Sequence, residues 1–261
     1  KAGYHPRQFI DAKFPFEHIA VDTITGFPTT ARGNNVILVI TDICTRFKLL
    51  MAQQTKSATE TARNLWNCMC TFPTPKIIQS DNGTEFCNAI VKELTEQHGV
   101  IHKQVAAYNP RANGTAENNV GVSQRVLRKT TQGNLKDWDL FLPTVQLAMN
   151  AKPNDSTKTS PASLLFGMNV NDFSNFDKAN SKLLTTHQLL ERARHLQDVL
   201  RPEVQSIFRR KQRSRTTAVN AKLRQTKPLP TGSLVMLKDP TRSSKHEAYW
   251  LGPYRVIQQK K

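Results

Sequence analysis

Long apolar runs are missing from this 261-residue chain, and no stretch approaches the roughly 18 consecutive apolar residues of a membrane-spanning helix. Cysteine is scarce as well. The four cysteines lack the regular spacing of a disulfide framework, so we expect reduced thiols in a cytosolic or nuclear protein. They are Cys44, Cys68, Cys70 and Cys87.

The first ten residues, KAGYHPRQFI, lack the cationic start, apolar stretch and small-residue cleavage site of a secretory signal. Secretion is therefore not expected. Because the chain begins with Lys1 rather than Met, we expect a fragment of a longer protein. Its length and its 38% hydrophobic content predict one sizeable core and a smaller module.

Acidic residues are few in the C-terminal third of the chain. Residues 181–261 hold 18 Lys/Arg against 5 Asp/Glu, whereas residues 1–180 hold 19 against 15. This basic excess predicts a nucleic-acid partner rather than a membrane, and a solvated face that only aids solubility is the alternative. The densest run predicts a phosphate-contacting surface, a nuclear import signal or both. It comprises Arg209, Arg210, Lys211, Arg213 and Arg215.

Strand-like and helix-like patterns alternate from residue 16 to about 125. Three strands are predicted first, the first two joined by a hairpin through TTARGNN: FEHIAVDTI, NNVILVITDI and RFKLLMAQ. A helix with a Ser57 and Glu60 capping box follows, in SATETARNLWNCMC. Then come strand KIIQS, helix TEFCNAIVKELTEQHG and strand VIHKQVA. This order predicts an α/β fold, a mixed five-stranded sheet with helices on both faces.

Three carboxylates occupy notable positions in this layout. Asp22 lies inside an apolar strand, where an ionised side chain needs a partner or a metal ion. Asp81 ends strand KIIQS, and functional groups of open α/β sheets gather at the carboxyl ends of strands. Its structural alternative is an N-cap of the next helix. Glu117 opens a helix, where a favourable interaction with the helix dipole is the alternative.

Thirty-five residues separate Asp81 from Glu117. If the three carboxylates cluster, they repel one another and raise one another's pKa values unless cations neutralise them. Oxygen ligands suit a hard divalent metal ion, so the sequence predicts a site for Mg²⁺ or Mn²⁺.

The three carboxylates resemble the D,D-35-E motif of retroviral and LTR-retrotransposon integrases, whose catalytic core has the RNase H-like fold. The motif residues are Asp22 in VDT, Asp81 in SDNGTEF and Glu117 in YNPRANGTAENN. The later stretch YWLGPYRV is similar to the GPY/F module of the Ty3/gypsy-type branch, an SH3-like domain.

The resemblance implies four segments. Residues 1–13 would be a linker from a missing N-terminal zinc-binding module, and residues 14–170 the RNase H-like integrase core. A basic helical connector over 171–225 and an SH3-like all-β DNA-binding module over 226–261 would follow, the latter too short for a complete barrel. Any zinc would belong to the missing module alone.

The resemblance also implies an activity, 3′-end processing of element DNA and strand transfer of the 3′-hydroxyl into target DNA. Asp22 would bridge two Mg²⁺ or Mn²⁺ ions, Asp81 would complete the shell of one, and Glu117 that of the other. The alternatives are an RNase H-like nuclease without joining activity and a domesticated, non-catalytic DNA-binding protein. Retention of all three carboxylates disfavours the non-catalytic reading.

Residues near the motif are candidates for contacting DNA. Gly83 is expected to permit tight backbone geometry after Asp81, and Asn82 to orient ligands or touch DNA, with purely structural turn roles as the alternative for both. Gln124 and Arg128 lie seven and eleven residues past Glu117, on one helical face, and are candidates for the DNA end. Asn118 either contacts nucleic acid or bonds within the fold. The loop that resembles the active-site loop of integrases contains Tyr108, Asn109, Arg111, Asn113 and Gly114.

The implied partners are double-stranded DNA, both element ends and target, and further copies of the chain. Two ends must join one target, so we expect a homo-oligomer, a dimer or a tetramer. A host tethering factor is a further candidate partner, and no membrane is expected. The implied location is the nucleus, after a cytoplasmic particle phase.

Overall fold

The computed structural model describes residues 12–104, 135–154, 158–168, 185–221, 230–238 and 250–257. The chain forms two compact units, one of residues 7–215 and one of residues 1–6 and 216–261. The described part of the larger unit holds a five-stranded sheet with its helices, and that of the smaller unit holds a two-stranded sheet.

The larger unit is built on a mixed sheet in the strand order β3-β2-β1-β4-β5. Its strands are β1 (His18–Ile24), β2 (Val36–Asp42), β3 (Lys48–Gln53), β4 (Ile77–Ser80) and β5 (Ile101–Gln104). The pairs β1 with β2 and β2 with β3 are antiparallel, whereas β1 with β4 and β4 with β5 are parallel. The predicted mixed five-stranded sheet is confirmed, and β1 is its central strand.

Six α-helices are described, together with a 3₁₀ turn (Trp138–Phe141) and a π turn (Leu196–Leu200). The helices are α1 (Ala58–Thr71), α2 (Ala89–Gln97), α3 (Leu142–Ala151), α4 (Pro161–Phe166), α5 (Thr186–His195) and α6 (Arg201–Ala221). In this part of the chain, no helix combines the length and apolar character needed to cross a membrane.

Hydrophobic residues cover both faces of the sheet because side chains alternate along each strand. On one face, Leu38 of β2 clusters with Leu65 of α1 and Val91 of α2. On the other face, Val39 of β2 clusters with Trp138 and with Val145 of α3. Helices on both faces, as predicted from the sequence, therefore enclose the apolar strands.

One helix cap and one helix start differ from the sequence prediction. Ser57 caps α1 by accepting a hydrogen bond from Glu60 N, at 3.3 Å. The Glu60 carboxylate does not complete the predicted capping box, because it accepts instead from the backbone N–H groups of Gln54 and Thr55, each at 2.9 Å. The next helix was predicted from residue 84 but begins at Ala89, where the Asn88 side chain accepts from Val91 N.

Asp139 ties the loop between β1 and β2 to the 3₁₀ turn. Its carboxylate accepts from Arg32 Nε at 2.8 Å and Arg32 Nη2 at 2.7 Å, from Asn34 Nδ2 at 2.7 Å and from Thr30 Oγ1 at 3.1 Å. The hydrogen bond from Arg32 is the main reason that the pKa of Asp139 lies below its ordinary value. The ionised carboxylate thus stabilises this corner of the fold.

Replacing Asp139 with Asn is expected to lower the free energy of unfolding by about 2 kcal/mol at pH 7, because a buried, charge-assisted hydrogen-bond network is lost. A lowered folded-state pKa means that this stabilisation is present above the carboxyl's unfolded value, about 3.9, and is lost as the pH falls through the folded value. Urea denaturation at pH 7 and at pH 3 checks this, with the exposed Asp137→Asn as the control. An equal difference at both pH values would contradict it.

Two arginine side chains of the segment from α5 to α6 donate hydrogen bonds to backbone carbonyl oxygens at the end of α4. Arg192 Nε donates to Gly167 O at 2.8 Å, and Arg201 donates to Leu164 O at 2.9 Å and to Leu165 O at 2.8 Å. A guanidinium at the last carbonyls of α4 matches the negative end of that helix. Pro202 lies in the first turn of α6, directly after the π turn Leu196–Leu200, so the helical path continues through the proline.

In the smaller unit, β6 (Leu234–Lys238) pairs antiparallel with β7 (Trp250–Arg255). Gly232, at φ +91, precedes β6 in a left-handed conformation that suits glycine. The SH3-like character of this module stays a prediction.

Candidate active site

Asp22 and Asp81 lie at the same end of two neighbouring strands. Strand β1 pairs in parallel with β4, and Ala20 is opposite Gln79. Asp22 is two residues beyond Ala20, and Asp81 is two residues beyond Gln79, so the parallel register brings the two aspartates side by side. The carboxyl ends of adjacent parallel strands are where open α/β sheets place functional groups.

The carboxylate of Asp22 is poorly solvated. Burial raises its pKa, and the negative charges of Asp81 and Glu85 raise it further, to about 6. The backbone N–H of Thr23, which donates to Asp22 Oδ1 at 2.9 Å, and the charge of Lys56 act in the opposite direction. The net result is a carboxylate that a nearby cation would stabilise in its ionised form.

Asp81 is held in a turn and does not cap a helix. Its Oδ1 accepts from Gly83 N at 2.9 Å, and its carbonyl oxygen accepts from Ser80 Oγ at 2.8 Å. Ser80 Oγ is also 2.8 Å from His102 Nε2 on β5. The N-cap alternative is excluded because Asn88 caps the following helix. These bonds fix the direction in which the carboxylate of Asp81 leaves the strand.

A third carboxylate, Glu85, lies next to this pair and was missed by sequence reasoning. Its side chain is 0% exposed. Its Oε1 accepts from Thr23 Oγ1 at 2.7 Å and pairs with Lys56 Nζ at 3.0 Å. The helical spacing of the sequence predicted that Glu85 lies in the first turn of a helix. The only signal in the sequence for a buried position here was Gly83, two residues earlier.

Gly83 provides the space that Glu85 occupies. A Cβ atom added to Gly83 would lie 2.7 Å from Glu85 Cδ and 2.8 Å from Glu85 Oε1, far inside van der Waals contact. Gly83 is not among the glycines with positive φ. The sequence predicted a glycine needed for tight backbone geometry, whereas the structure shows one needed for the close approach of a buried side chain.

The remaining predicted site residues divide into two groups. Asn82 is exposed in the turn after Asp81, and α6 carries the basic run, with Arg209 half-buried and Arg210, Lys211, Arg213 and Arg215 exposed. The others lie outside the described residues, and their roles stay predictions. They are Tyr108, Asn109, Arg111, Asn113, Gly114, Glu117, Asn118, Gln124 and Arg128.

The donor set of the site suits a hard divalent cation. Asp22 and Asp81 offer carboxylate oxygens, the ligands that Mg²⁺ and Mn²⁺ prefer. Over the described ranges, no third His, Cys, Asp or Glu completes a metal-binding group with them. The predicted third ligand, Glu117, falls in the undescribed stretch 105–134.

Comparison with known proteins places the site in a matched segment. Residues 12–110 match the family described as Integrase core domain. The Pro-Pol polyprotein of Simian foamy virus type 3 (strain LK3) is 32% identical over 164 residues, which are 62% of this chain and 14% of that protein. Gypsy retrotransposon integrase-like protein 1 of Bos taurus is 27% identical over 169 residues, 63% of this chain and 33% of that protein. The chain thus spans a third or less of these relatives.

The fold also has counterparts among solved structures. A chain of the simian T-cell lymphotropic virus intasome, solved in complex with the PP2A regulatory subunit B56 gamma, aligns with a TM-score of 0.59 and 16% identity. The alignment covers 99% of this chain and 75% of that chain. At this identity the likeness concerns the fold alone, and the sheet described above is that of an RNase H-like core.

Proposed function

We propose that this chain, which carries an integrase core domain within residues 12–110, is a metal-dependent polynucleotidyl transferase. It would trim the 3′ ends of element DNA and join the new 3′-hydroxyl to target DNA. The observation that carries the proposal is the pairing of Asp22 and Asp81 at the ends of adjacent parallel strands, inside the segment that matches the integrase core.

Two features of the site support a divalent cofactor, either Mg²⁺ or Mn²⁺. Asp22 and Asp81 are oxygen donors side by side, and burial together with the charge of Asp81 raises the pKa of Asp22 to about 6. These two residues would hold the ions together with Glu117. When bound, a pair of such ions activates the attacking oxygen and stabilises the leaving oxygen of a phosphodiester.

Backbone N–H groups of the protein orient the two carboxylates before any ion binds. Thr23 N–H fixes one oxygen of Asp22, and Gly83 N–H fixes one oxygen of Asp81. Ser80 links the turn at Asp81 to His102 on the neighbouring strand. Such preorganisation reduces the reorganisation that the site must undergo during reaction.

The DNA partner is supported by the charge of the chain. The net charge is +17, and the exposed cations of α6 include Arg210 and Arg213. Binding through such residues releases counterions and weakens as salt rises. Element ends and target DNA, a dimer or tetramer of this chain, a host tethering factor and a nuclear location complete the proposal.

The test of the proposed function is a joining assay. Labelled duplex DNA with the element's terminal sequence is incubated with Mg²⁺ or Mn²⁺ and either wild type, Asp81→Asn or the control Asp137→Asn. We expect wild type and the control to yield trimmed 3′ ends and longer joined products, and Asp81→Asn to be slower by roughly 10³-fold, a barrier increase of about 4 kcal/mol.

Other outcomes of this assay would reject integration. Metal-dependent cleavage without joined products would indicate a nuclease of the same fold. DNA binding with neither cleavage nor joining, at every metal concentration, would indicate a non-catalytic DNA-binding protein.

A further inference from the structure

Only one of the two carboxylate oxygens of the buried Glu85 has a partner among the described residues. Both of its contacts, Thr23 Oγ1 at 2.7 Å and Lys56 Nζ at 3.0 Å, involve Oε1. Its Oε2 is buried and has no hydrogen-bond partner among the described residues. Lys56 is 44% exposed, so water screens the one cation that faces this charge.

Thr23 connects Glu85 to Asp22. The Thr23 hydroxyl donates to Glu85, and the Thr23 backbone N–H donates to Asp22 Oδ1 at 2.9 Å. Because consecutive residues of a strand point to opposite faces, the side chains of Asp22 and Thr23 lie on opposite faces of β1. Glu85 therefore supports the site from behind the strand that carries Asp22.

Because Glu85 is buried, its negative charge acts on the carboxylate of Asp22. Electrostatic interactions are stronger where water is excluded, and the charge of Glu85 acts on Asp22 in the same direction as that of Asp81. Burying a carboxylate that leaves one oxygen without a hydrogen-bond partner costs free energy, even though its other oxygen is paired with Lys56 and Thr23. Gly83 leaves the space in which this carboxylate packs, since an added Cβ atom would lie 2.7 Å from Glu85 Cδ.

We propose that Glu85 is a positioning residue of the site formed by Asp22 and Asp81. It holds Thr23 so that the Thr23 N–H orients the Asp22 carboxylate, and its charge strengthens the attraction of the site for a divalent cation. This role rests on the proposed function. Residues that orient metal ligands from outside the coordination shell typically change metal affinity by roughly 10–100-fold when replaced.

Binding of Mn²⁺, followed by electron paramagnetic resonance of the free ion, tests this role without an activity assay. Glu85→Gln keeps the size of the side chain and an oxygen for Thr23 but removes the charge. Thr23→Val keeps the shape of Thr23 but removes the hydroxyl bonded to Glu85. We expect each variant to bind Mn²⁺ roughly 10-fold more weakly than wild type.

Two controls separate positioning from folding. Thr23→Ser retains the hydroxyl and is expected to bind Mn²⁺ within about 2-fold of wild type, because only a methyl group is lost. Asp22→Asn is expected to abolish this binding. Circular dichroism and thermal unfolding of every variant report whether the fold is retained, and Thr23→Val tests the role if Glu85→Gln does not fold.

The outcomes distinguish this role from the proposed function. If Asp22→Asn abolishes Mn²⁺ binding while Glu85→Gln and Thr23→Val bind as wild type does, the role of Glu85 is rejected and the metal site stands. If Thr23→Ser loses as much affinity as Thr23→Val, the hydroxyl link is rejected. If wild type shows no Mn²⁺ binding that depends on Asp22, the metal site itself is rejected, and the role of Glu85 with it.

Discussion

Asp22→Asn is expected to make the protein more stable at pH 7 while lowering the rate of the proposed strand transfer by roughly 10³-fold or more. Burial and neighbouring charges raise the pKa of Asp22 to about 6 from an ordinary value of 3.8. In the unfolded chain the carboxyl ionises first, so wild-type stability falls as the pH rises from about 4 to about 6. Asn carries no such charge and avoids this loss.

The stability gain should be about 3 kcal/mol at pH 7, because the pKa of Asp22 rises from 3.8 to about 6 on folding and each pKa unit corresponds to roughly 1.4 kcal/mol. Urea denaturation from pH 4 to pH 8 measures it, and the wild-type and Asp22→Asn curves should converge at the acidic end. Asp137→Asn, in an exposed position, should follow wild type throughout. A variant less stable than wild type at pH 7 would show that Asp22 has a structural role.

A divalent cation should reverse the order of stability. An ion that binds the folded protein through Asp22 stabilises wild type in proportion to the logarithm of its concentration and has no such effect on Asp22→Asn. Urea denaturation at increasing Mn²⁺ concentration therefore shows whether a bound cation offsets the charge repulsion around Asp22. Because protons compete with the cation for Asp22, the proposed strand transfer should also rise with pH through about 6 when the metal concentration is well below saturation.

Asp42→Ala is expected to have the largest effect on stability, a loss of about 4 kcal/mol in the free energy of unfolding. Asp42 is fully buried at the end of β2. Its Oδ1 accepts from Phe16 N at 2.9 Å and Cys44 N at 3.2 Å, and its Oδ2 accepts from Thr45 N at 2.9 Å and Thr45 Oγ1 at 2.6 Å. Alanine would leave three buried backbone N–H groups without an acceptor.

Asp42→Asn provides the matched comparison. Asparagine keeps one acceptor oxygen, but its amide NH₂ replaces Oδ2, which accepts two hydrogen bonds from Thr45. Its loss of stability should therefore lie between zero and that of Asp42→Ala. Urea denaturation at pH 7 measures both variants against wild type. An Asp42→Ala protein within about 1 kcal/mol of wild type would show that the backbone N–H groups of the turn after β2 find other acceptors.

The sheet and the two aspartates could be predicted from the sequence because their signals are local. Apolar runs such as that of β2 are long enough to indicate buried strands, and a charged residue inside β1 is conspicuous against them. The position of Asp81 after a short apolar strand places it at the edge where functional groups gather. These signals need no knowledge of distant contacts.

The start of α2 and the role of Glu85 were missed for one shared reason. The stretch after Gly83 has helical spacing, but the contact of Glu85 with Thr23, 62 residues earlier, draws this side chain inward and keeps its segment out of the helix. The helix begins only where Asn88 supplies a cap. A tertiary contact of this kind overrides a local propensity and leaves no periodic signal in the sequence.

The Asn-Gly pair after Asp81 is typical of a turn in which glycine is needed for its backbone conformation. At position 83, however, the constraint is one of volume, since the space denied to a methyl group holds the carboxyl group of Glu85. The freedom to vary at position 83 is therefore set by the residue at position 85. A homologue with a short side chain at position 85 would have no steric reason to keep glycine at position 83. We therefore expect the residues at these two positions to vary together among homologues.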